Sequence, residues 1–460
     1  MKRIFTYITV CCLTCSLVRA QQFKIPESDL GNIKGKKSVS MPSRSYTLKS
    51  CLELGLEKNY SVRISKNDEQ VTKNNATLGN AGYLPTLDLS GGYNGNLDNS
   101  ETTPRSGDIT KGNGVFDQSV NVGLNLNWTI FDGFKITANY QRLKELEKQG
   151  ETNTRIAIED FVSELTAEYY NYVQQKIRLK NFRYAVSLSK ERLRIVEERY
   201  NIGNFSRLDL QQARVDFNAD SAKYMKQQEL LHTSRIRLNE LMANQDVDEE
   251  FFIPDSVINV NTLLAFKDLW NSTLNTNASL IKAQQNRTLA RLDLKTVNSR
   301  NYPYLKLNSG YGYTFNKYEI GNTAKKQSLG LNFGVTVGFN IFDGNRRREK
   351  QNAQIAIANS QLEQQELEQS LKADLSNLWQ AYLNNIEMLK LERQNIVAAK
   401  ENHEIAMERY LLGNLSGIEM REAQKSLLDA EERILSAEYD TKLCEISLMQ
   451  ISGKVLEYLN

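Results

Sequence analysis

Two copies of one short sequence constrain the fold of this chain more than any other feature. Glu198–Ser206 and Glu408–Ser416 both read Glu-Arg-Tyr-x-x-Gly-Asn-x-Ser, and they lie 210 residues apart. Gly203 and Gly413 occupy the position where a helix ends most easily, because glycine adopts left-handed backbone conformations without a Cβ clash. The sequence therefore predicts two matched reversals between helices.

Each reversal is followed by the signature of a new helix. Ser206 and Ser416 are residues that accept hydrogen bonds from the free N–H groups of a helix start. Asp209 and Glu419 stand three residues later, where an acidic side chain completes a capping box. Each copy is thus predicted to form the tip of a helical hairpin.

Very long helical patterns lead into both tips. They cover about residues 134–200 and 345–410, and each helix would be about 100 Å long at a rise of about 1.5 Å per residue. That length exceeds what an ordinary globular domain contains. Shorter partner helices are predicted at about 47–80, 206–242, 262–299 and 416–452.

Four segments change from the helical period to strict alternation. Strands are predicted at about 86–95, 119–131, 304–316 and 328–342, with residues 95–117 as a loop. Apolar side chains alternate there with glycine, asparagine and other small polar residues, which is the pattern of membrane β-barrel strands around a water-filled lumen. The alternative is a pair of hairpins in a soluble β-sheet.

The two later strands of these pairs end in the same four residues, Ile-Phe-Asp-Gly. A long helix follows at once in each case, and Asp132 and Asp343 are placed to cap it. The second half therefore repeats the order of the first. We divide the chain into a first half at 46–250 and a second half at 251–460.

The N-terminus has the features of an export signal. Residues 1–20 combine a basic start, an apolar stretch and a small residue before Gln21, and residues 21–45 are predicted to be an extended leader. Loss of residues 1–20 takes the formal net charge from +3 to zero, because Lys2, Arg3 and Arg19 go with them. A neutral chain gives no reason to predict nucleic-acid binding.

Motifs for catalysis, metal binding or cofactor binding were not found in the sequence. The two histidines, His232 and His403, lie in separate helical patterns, and no paired metal-ligand spacing or nucleophile motif is present. We predict no enzyme activity, no cofactor and no metal site. Cys51 and Cys444 remain after residues 1–20 and are predicted to be buried thiols.

The strands also constrain the assembly. Open sheet edges are not tolerated in lipid, and the smallest membrane barrels have about eight strands, whereas one chain supplies four. A dimer would make a closed, filled barrel and a trimer a twelve-stranded barrel with room for a lumen, which the small polar face favours. The predicted fold class is an internally duplicated α+β membrane protein: a trimeric β-barrel extended by a long α-helical coiled-coil barrel.

Taken together, these features resemble the TolC family of outer-membrane efflux proteins. The similarity covers about residues 46–452 and depends on Tyr-Leu-Pro at 83–85, Tyr-Pro at 302–303, the Ile-Phe-Asp-Gly turns at 130–133 and 341–344, and both tips. It implies a homotrimer in the outer membrane, in contact with its lipid, with a helical tunnel in the periplasm. It also implies an exit duct working with a periplasmic adaptor protein and an inner-membrane transporter of the RND or ABC type, for efflux or type I secretion.

The resemblance also assigns roles at the tips. Adaptor docking would involve Tyr200, Gly203, Ser206, Tyr410, Gly413 and Ser416. A constriction of the tunnel would involve Asp209, Glu419 and Glu422. Glu419 has an alternative role, since a capping box with Ser416 needs the same side chain. Leu415 stands where some members of the family place a basic residue, so a charge-paired latch at that position is not expected.

Two further alternatives concern charge and function. Arg346, Arg347, Arg348 and Lys350 follow the last strand and are either a solvated helix start or a contact for anionic lipid headgroups. The main alternative to a duct is a structural outer-membrane stalk or adhesin without transport. A stalk has no need for a small polar strand face, nor for two matched tips.

Overall fold

A computed structural model describes residues 44–459, apart from residues 104, 106, 108, 321 and 322. The predicted signal segment at 1–20 and residues 21–43 of the predicted leader lie outside the described residues. The last two leader residues form a short parallel strand pair with Phe251–Phe252.

The described residues form the following helices and strands in chain order: β1 (Arg44–Ser45), α1 (Leu48–Lys58), α2 (Tyr60–Asn75), α3 (Leu78–Ala81), β2 (Thr86–Thr102), β3 (Thr110–Asp132), α4 (Lys135–Asn201), α5 (Arg207–Leu241), β4 (Phe251–Phe252), α6 (Phe266–Thr276), α7 (Ala278–Asn298), β5 (Tyr304–Lys317), β6 (Lys325–Gly338), α8 (Arg346–Leu411) and α9 (Gly417–Ile451). Short 3₁₀ helices occupy Ser299–Asn301 and Val455–Leu459.

The two long helices run beside shorter ones along their whole length. Toward the tips, α4 packs on α5 and α8 packs on α9, while α9 also packs on α4. Toward the sheet, α2 and α7 pack on α4, and α7 packs on α8. At about 1.5 Å per residue, α4 with 67 residues and α8 with 66 each extend about 100 Å. The helices therefore hold the tips far from the sheet.

The four longer strands form one antiparallel sheet in the order β2-β3-β5-β6. The register sorts the side chains by face. One row across the sheet is Leu89, Leu124, Tyr311 and Leu331, and the adjacent row is Ser90, Gly123, Gly312 and Gly330. The apolar row is solvent-exposed in the single chain, with Leu89 at 74%. One face of the sheet is thus apolar and the other is lined by glycine and small polar residues.

Two strand boundaries differ from the sequence prediction. Pairing of β2 with β3 continues to Thr102 and Thr110, so most of the predicted loop at 95–117 is strand. Backbone pairing outweighs the loop-like composition there, although a register shift follows Asp98. At the other end, β6 stops at Gly338 rather than 342, because its partner β5 begins at Tyr304 and offers no further residue to pair with.

Two predicted helices are each divided by an asparagine. The predicted helix at 47–80 breaks at Asn59, and the predicted helix at 262–299 breaks at Asn277. The Asn59 Oδ1 accepts from the Ser61 N–H at 2.9 Å, and the Asn277 Oδ1 accepts from the Leu280 N–H at 3.0 Å. Each side chain therefore caps the second of the two helices.

In each half of the chain, the same asparagine also connects the helices nearer the sheet to the helix that returns from the tip. The Asn59 amide donates to the Leu241 carbonyl at 3.0 Å, where α5 ends. The Asn277 amide donates to the Ile451 carbonyl at 2.9 Å, where α9 ends. In each half, one asparagine side chain thus binds an N–H group at a helix start and a carbonyl at a helix end. These bonds determine where the stacked helices meet.

Changing Asn277 should separate these two roles. Asn277→Asp keeps the cap acceptor but loses the donor to Ile451, whereas Asn277→Ala loses both. We expect Asn277→Ala to lower the free energy of unfolding by about 1–3 kcal/mol and Asn277→Asp to lower it less. Chemical denaturation followed by circular dichroism would measure both. Equal losses for the two variants would contradict the capping role.

The largest buried cluster lies where the stacked helices meet. Leu52, Leu165, Tyr169, Leu238 and Val455 are all fully buried there and bring together α1, α4, α5 and the C-terminal 3₁₀ helix. Cys51 belongs to this cluster, and burial raises the pKa of its thiol to about 12. Cys444 is half-buried, and both thiols are free. This cluster is the core that holds the sheet end and the tip end in one unit.

Among the described helices, none has a stretch long and apolar enough to pass through a membrane.

Candidate functional site

The first tip is a glycine-terminated helix end. α4 ends at Asn201, and Gly203 has a φ of 81°, in the left-handed region that favours glycine. The Gly203 N–H donates to the Tyr200 carbonyl at 3.0 Å, and the Asn204 N–H donates to the Arg199 carbonyl at 2.9 Å. These bonds satisfy carbonyls at the helix end and turn the chain back.

The next helix starts with a complete capping box. The Ser206 N–H and hydroxyl donate to the Asp209 carboxylate at 3.1 Å and 2.7 Å, and the Asp209 N–H donates to the Ser206 hydroxyl at 3.2 Å. Asp209 is therefore engaged at the start of α5. Its carboxylate is thus hydrogen-bonded to Ser206 within the single chain.

The second tip repeats this geometry. Gly413 has a φ of 80°, and the Asn414 N–H donates to the Arg409 carbonyl at 2.9 Å. The Ser416 N–H and hydroxyl donate to the Glu419 carboxylate at 3.0 Å and 2.8 Å. These hydrogen bonds hold the pKa of Glu419 below its usual value.

The two tip tyrosines differ in exposure. Tyr200 is exposed, whereas Tyr410 is only 1% exposed and packs with Ala406, Met420 and Ala423. Burial raises the pKa of Tyr410, and within the described part of the chain its hydroxyl has no hydrogen-bond partner. Only the first of the two equivalent tyrosines is accessible at the surface of the single chain.

Arg199 joins the two tips. One of its guanidinium nitrogens donates to the Leu411 carbonyl at 3.2 Å, where α8 ends. The guanidinium carbon lies 5.5 Å from the Tyr410 ring centroid and 5.3 Å from that of Phe205. A cation at a helix C-terminus is electrostatically favourable, and its aromatic contacts add to this. The first tip is thereby attached to the end of the second hairpin.

A network of buried charges links the hairpins just above the tips. The Arg421 Nη1 and Nη2 atoms donate to the two oxygens of Asp220 at 2.7 Å and 2.9 Å, and the Asp220 residue is 2% exposed. Arg421 also approaches Asp216 at 3.9 Å, and Arg192 pairs with Asp216. Pairing with Asp220 raises the pKa of Arg421. Helices α4, α5 and α9 are therefore joined through four charged side chains.

A cavity of about 380 Å³ lies between this network and the tips. Its walls include Val196, Phe205, Leu208, Tyr410, Ile418 and Glu422. Apolar and charged groups both line it, and it opens between the starts of α5 and α9. The two hairpins are thus closely connected at their ends without being tightly packed throughout.

The three predicted constriction carboxylates have different surroundings. Asp209 and Glu419 are held in the capping boxes, whereas Glu422 is exposed and makes no hydrogen bond or ion pair to the described residues. Glu422 is therefore the carboxylate of the three that is not used by the local fold. Within the described residues, no cluster of three His, Cys, Asp or Glu side chains is arranged to hold a metal ion.

Sequence reasoning missed Arg192, Asp216, Asp220 and Arg421. Arg421 pairs with Asp220 from 201 positions away, and Arg192 pairs with Asp216 across the first tip, 24 positions away, so no local spacing reveals either pair. The spacing of Asp216 and Asp220 places both on one face of α5, which was the available signal. A charge pair was not expected at Leu415, and the structure places that side chain against the apolar cluster around Tyr410.

The sequence matches the family model described as "Outer membrane efflux protein" over residues 52–244 and 269–454. The two matched segments cover most of the chain. Each contains one of the tips and two strands of the sheet.

Two outer membrane proteins are similar to this chain over most of its length. The chain is 21% identical over 398 residues to Outer membrane protein TolC of Vibrio cholerae serotype O1, with 85% of each chain covered. It is 19% identical over 436 residues to Outer membrane efflux protein BepC of Brucella suis biovar 1, covering 92% of this chain and 89% of that protein.

Solved structures share the fold. A membrane protein from Pseudomonas aeruginosa matches with a TM-score of 0.74 at 16% identity, covering 89% of this chain and 91% of that one. The Campylobacter jejuni CmeC outer membrane channel matches with a TM-score of 0.72 at 18% identity, covering 94% of both. The helices, sheet and tips described above are therefore similar to those of outer-membrane channels.

Proposed function

We infer the function from one premise: this chain belongs to the outer membrane efflux protein family. It is an outer membrane protein whose helical part lies in the periplasm. We propose that it forms the exit duct of a tripartite efflux or type I secretion system, through which substrates leave passively.

The separation of the sheet into two faces carries this proposal. The apolar row through Leu124 and Tyr311 suits lipid, and the row through Gly123 and Gly312 suits water. β2 and β6 are the edge strands of the sheet. Because unpaired edges are not tolerated in lipid, the sheet needs further copies of itself to close. Three copies would give twelve strands around an open lumen.

We propose that the duplicated helices continue this lumen as a periplasmic tunnel. The long helices α4 and α8 carry the tips about 100 Å from the sheet, a distance that suits a passage through the periplasm. The order helix, strand pair, long helix, tip and short helix occurs twice, which is consistent with internal duplication. We propose that an inner-membrane transporter of the RND or ABC type supplies the energy for transport.

We propose that the periplasmic adaptor docks at the two tips. Their turns expose backbone and side chains at the far end of the helices, through Tyr200, Gly203 and Ser206 in one and Gly413 and Ser416 in the other. Tyr410 would contribute indirectly, because it is buried and supports the second turn from within.

We propose that the constriction depends on Glu422 more than on Asp209 or Glu419. Three exposed carboxylates, one from each copy, would attract cations at the narrow end of the tunnel. Asp209 and Glu419 are already hydrogen-bonded at helix starts. Removal of the Glu422 charge should therefore change ion selectivity with little change in the fold.

Single-channel recording of the purified oligomer in a planar bilayer tests these points. We expect a cation-selective wild type, and a several-fold lower ratio of cation to anion permeability for Glu422→Gln. Glu419→Gln is the matched control, because glutamine still completes a capping box while the charge is lost. Its selectivity should fall less than that of Glu422→Gln, because the N–H groups at the start of α9 already partly offset the Glu419 charge.

Two results would weigh against the proposal. A Glu419→Gln channel that loses as much selectivity as Glu422→Gln would contradict the different roles of the two carboxylates. A folded, membrane-inserted oligomer that never conducts, even when the tips are loosened by mutation, would favour the alternative of a structural stalk or adhesin.

A further inference from the structure

A basic cluster at the sheet end of α8 is not explained by the fold. Arg346, Arg347, Arg348 and Lys350 all lie within the first five residues of this helix. Cations are disfavoured at a helix N-terminus by the helix dipole. The corresponding start of α4 has a single cation, Lys135, in its first five residues. The second half therefore carries an electrostatic cost that the first half largely avoids.

Nearby carboxylates do not offset this charge. Arg300 pairs with Glu349 at 2.6 Å and with Asp343 at 3.7 Å, which occupies the two acidic side chains close to the cluster. Arg346 donates to the Asn340 carbonyl at 2.9 Å. Within the described residues, Arg347, Arg348 and Lys350 form no ion pair.

The cluster borders both a cavity and exposed apolar side chains. A cavity of about 320 Å³ is lined by Asn298, Asn301, Phe342, Arg346, Arg347 and Lys350, together with Asp343, whose carboxylate lies 3.7 Å from Arg300. Ile341 and Phe342 beside it are 88% and 86% exposed. Ile341 continues the alternation of the apolar residues on β6, which ends three residues earlier. Positive charge therefore lies beside exposed apolar side chains at the end of β6.

We propose that this basic cluster binds the phosphate group of an anionic phospholipid in the periplasmic leaflet of the outer membrane. Arginine binds phosphate through paired N–H donors, and basic residues next to a membrane surface attract anionic lipid. Ile341 and Phe342 would contact the acyl region while the cations hold the headgroup. The inference rests on the proposed insertion of the sheet in the membrane, but not on conduction through it.

A neighbouring copy of the chain offers no carboxylate from β2 to neutralise the basic cluster. In a closed barrel the free edge of β6 would meet the free edge of β2, because these are the two edge strands. The periplasmic end of β2 and the residues before it read Tyr-Leu-Pro-Thr-Leu at 83–87, without a carboxylate. Asp88, the first acidic residue, lies on the opposite, small polar face of the sheet.

Lipid retention by the purified oligomer tests the proposal. Wild type, Arg347→Gln/Arg348→Gln/Lys350→Gln and Lys325→Gln/Lys326→Gln would be exchanged into an equal mixture of phosphatidylglycerol and phosphatidylcholine. Native mass spectrometry would then count the bound lipids. The control removes exposed lysines at the opposite end of β6. We expect wild type and control to bind more phosphatidylglycerol than phosphatidylcholine. The ratio of the two bound lipids should fall by about tenfold or more in the triple variant, since each basic residue near a membrane surface adds to the attraction of anionic lipid.

Three outcomes would overturn the proposal. The first is that the triple variant retains the same preference as wild type. The second is that inorganic phosphate at equal concentration displaces the lipid, which would indicate a site for free phosphate. Dissociation of the triple variant alone, in both lipids, would assign the cations to contact between copies. Bilayer recording of the same samples tests the proposed duct independently of the lipid site. A non-conducting oligomer that prefers phosphatidylglycerol would contradict the duct and support the lipid site.

Discussion

Replacement of Arg421 with alanine is expected to loosen the tip and raise the conductance of the assembled channel. Arg421 on α9 forms two hydrogen bonds with Asp220 on α5, and the Asp220 residue is almost fully buried. Removing one member of a buried pair leaves the other charge uncompensated, at a cost of about 3–5 kcal/mol. The least costly response is for the hairpins to separate and admit water. Single-channel conductance would measure the result.

Two further variants separate charge from packing. Lys425→Ala removes an exposed cation one turn along α9 and should leave conductance unchanged. Arg421→Met/Asp220→Leu removes both charges but fills the space, so it should restore much of the stability that Arg421→Ala loses. A double variant as conductive as Arg421→Ala would show that the charge pair, rather than close packing, keeps the tip narrow. Unchanged conductance in Arg421→Ala itself would refute the role of the network.

The tips show which parts of the site can be predicted from sequence. Gly203 and Ser206 act through their own backbone neighbours, so a local pattern was sufficient to place a turn and a helix start. The partner of Arg421 lies 201 residues away and depends on how three helices pack. The difference between Tyr200 and Tyr410 has the same origin: two closely similar local sequences meet different neighbours. Local hydrogen bonds are visible in the sequence, but long-range packing is not.

The sheet gives a second example. Alternation of side chains indicated which residues share a face, since period two follows directly from strand geometry. It did not indicate where the strands end, because pairing with the neighbouring strand decides this. Residues 95–102 lack a strand-like composition but pair with β3, whereas residues 339–341 continue the alternation without a partner. Strand ends are thus properties of the sheet.

The repeated Ile-Phe-Asp-Gly turns show both a local hydrogen bond, which the sequence predicts, and long-range packing, which it does not. In each, the aspartate accepts a backbone hydrogen bond at 2.9 Å, from Ile136 to Asp132 and from Asn345 to Asp343. The glycines differ, however. Gly133 has a φ of 69° and lies against the carbonyl of Ser299, whereas Gly344 has no positive φ and an added Cβ would meet only the edge of the Phe342 ring, at 3.9 Å. The same four residues therefore have unequal constraints.

Gly133→Ala is accordingly expected to disrupt the junction between helices and sheet. A methyl group there would overlap the Ser299 carbonyl oxygen and lie 2.9 Å from the Tyr302 Cβ atom, in a backbone conformation that alanine rarely adopts. Ser299 belongs to the 3₁₀ helix after α7, and Tyr302 precedes β5, which pairs with β3. The added group must displace the start of β5, at a cost of about 2–5 kcal/mol from strain and overpacking.

Gly344→Ala provides the matched control for this substitution. The nearest atom to its new methyl group would be 3.9 Å away, at the edge of the Phe342 ring, so stability should change by less than about 0.5 kcal/mol. Thermal unfolding and the fraction of assembled oligomer would compare the two. Because the turns have the same sequence, any model in which they act alike predicts equal effects. A loss confined to Gly133→Ala would show that the backbone conformation of Gly133 and its contact with Ser299, rather than the sequence shared by both turns, require this glycine; equal behaviour would refute it.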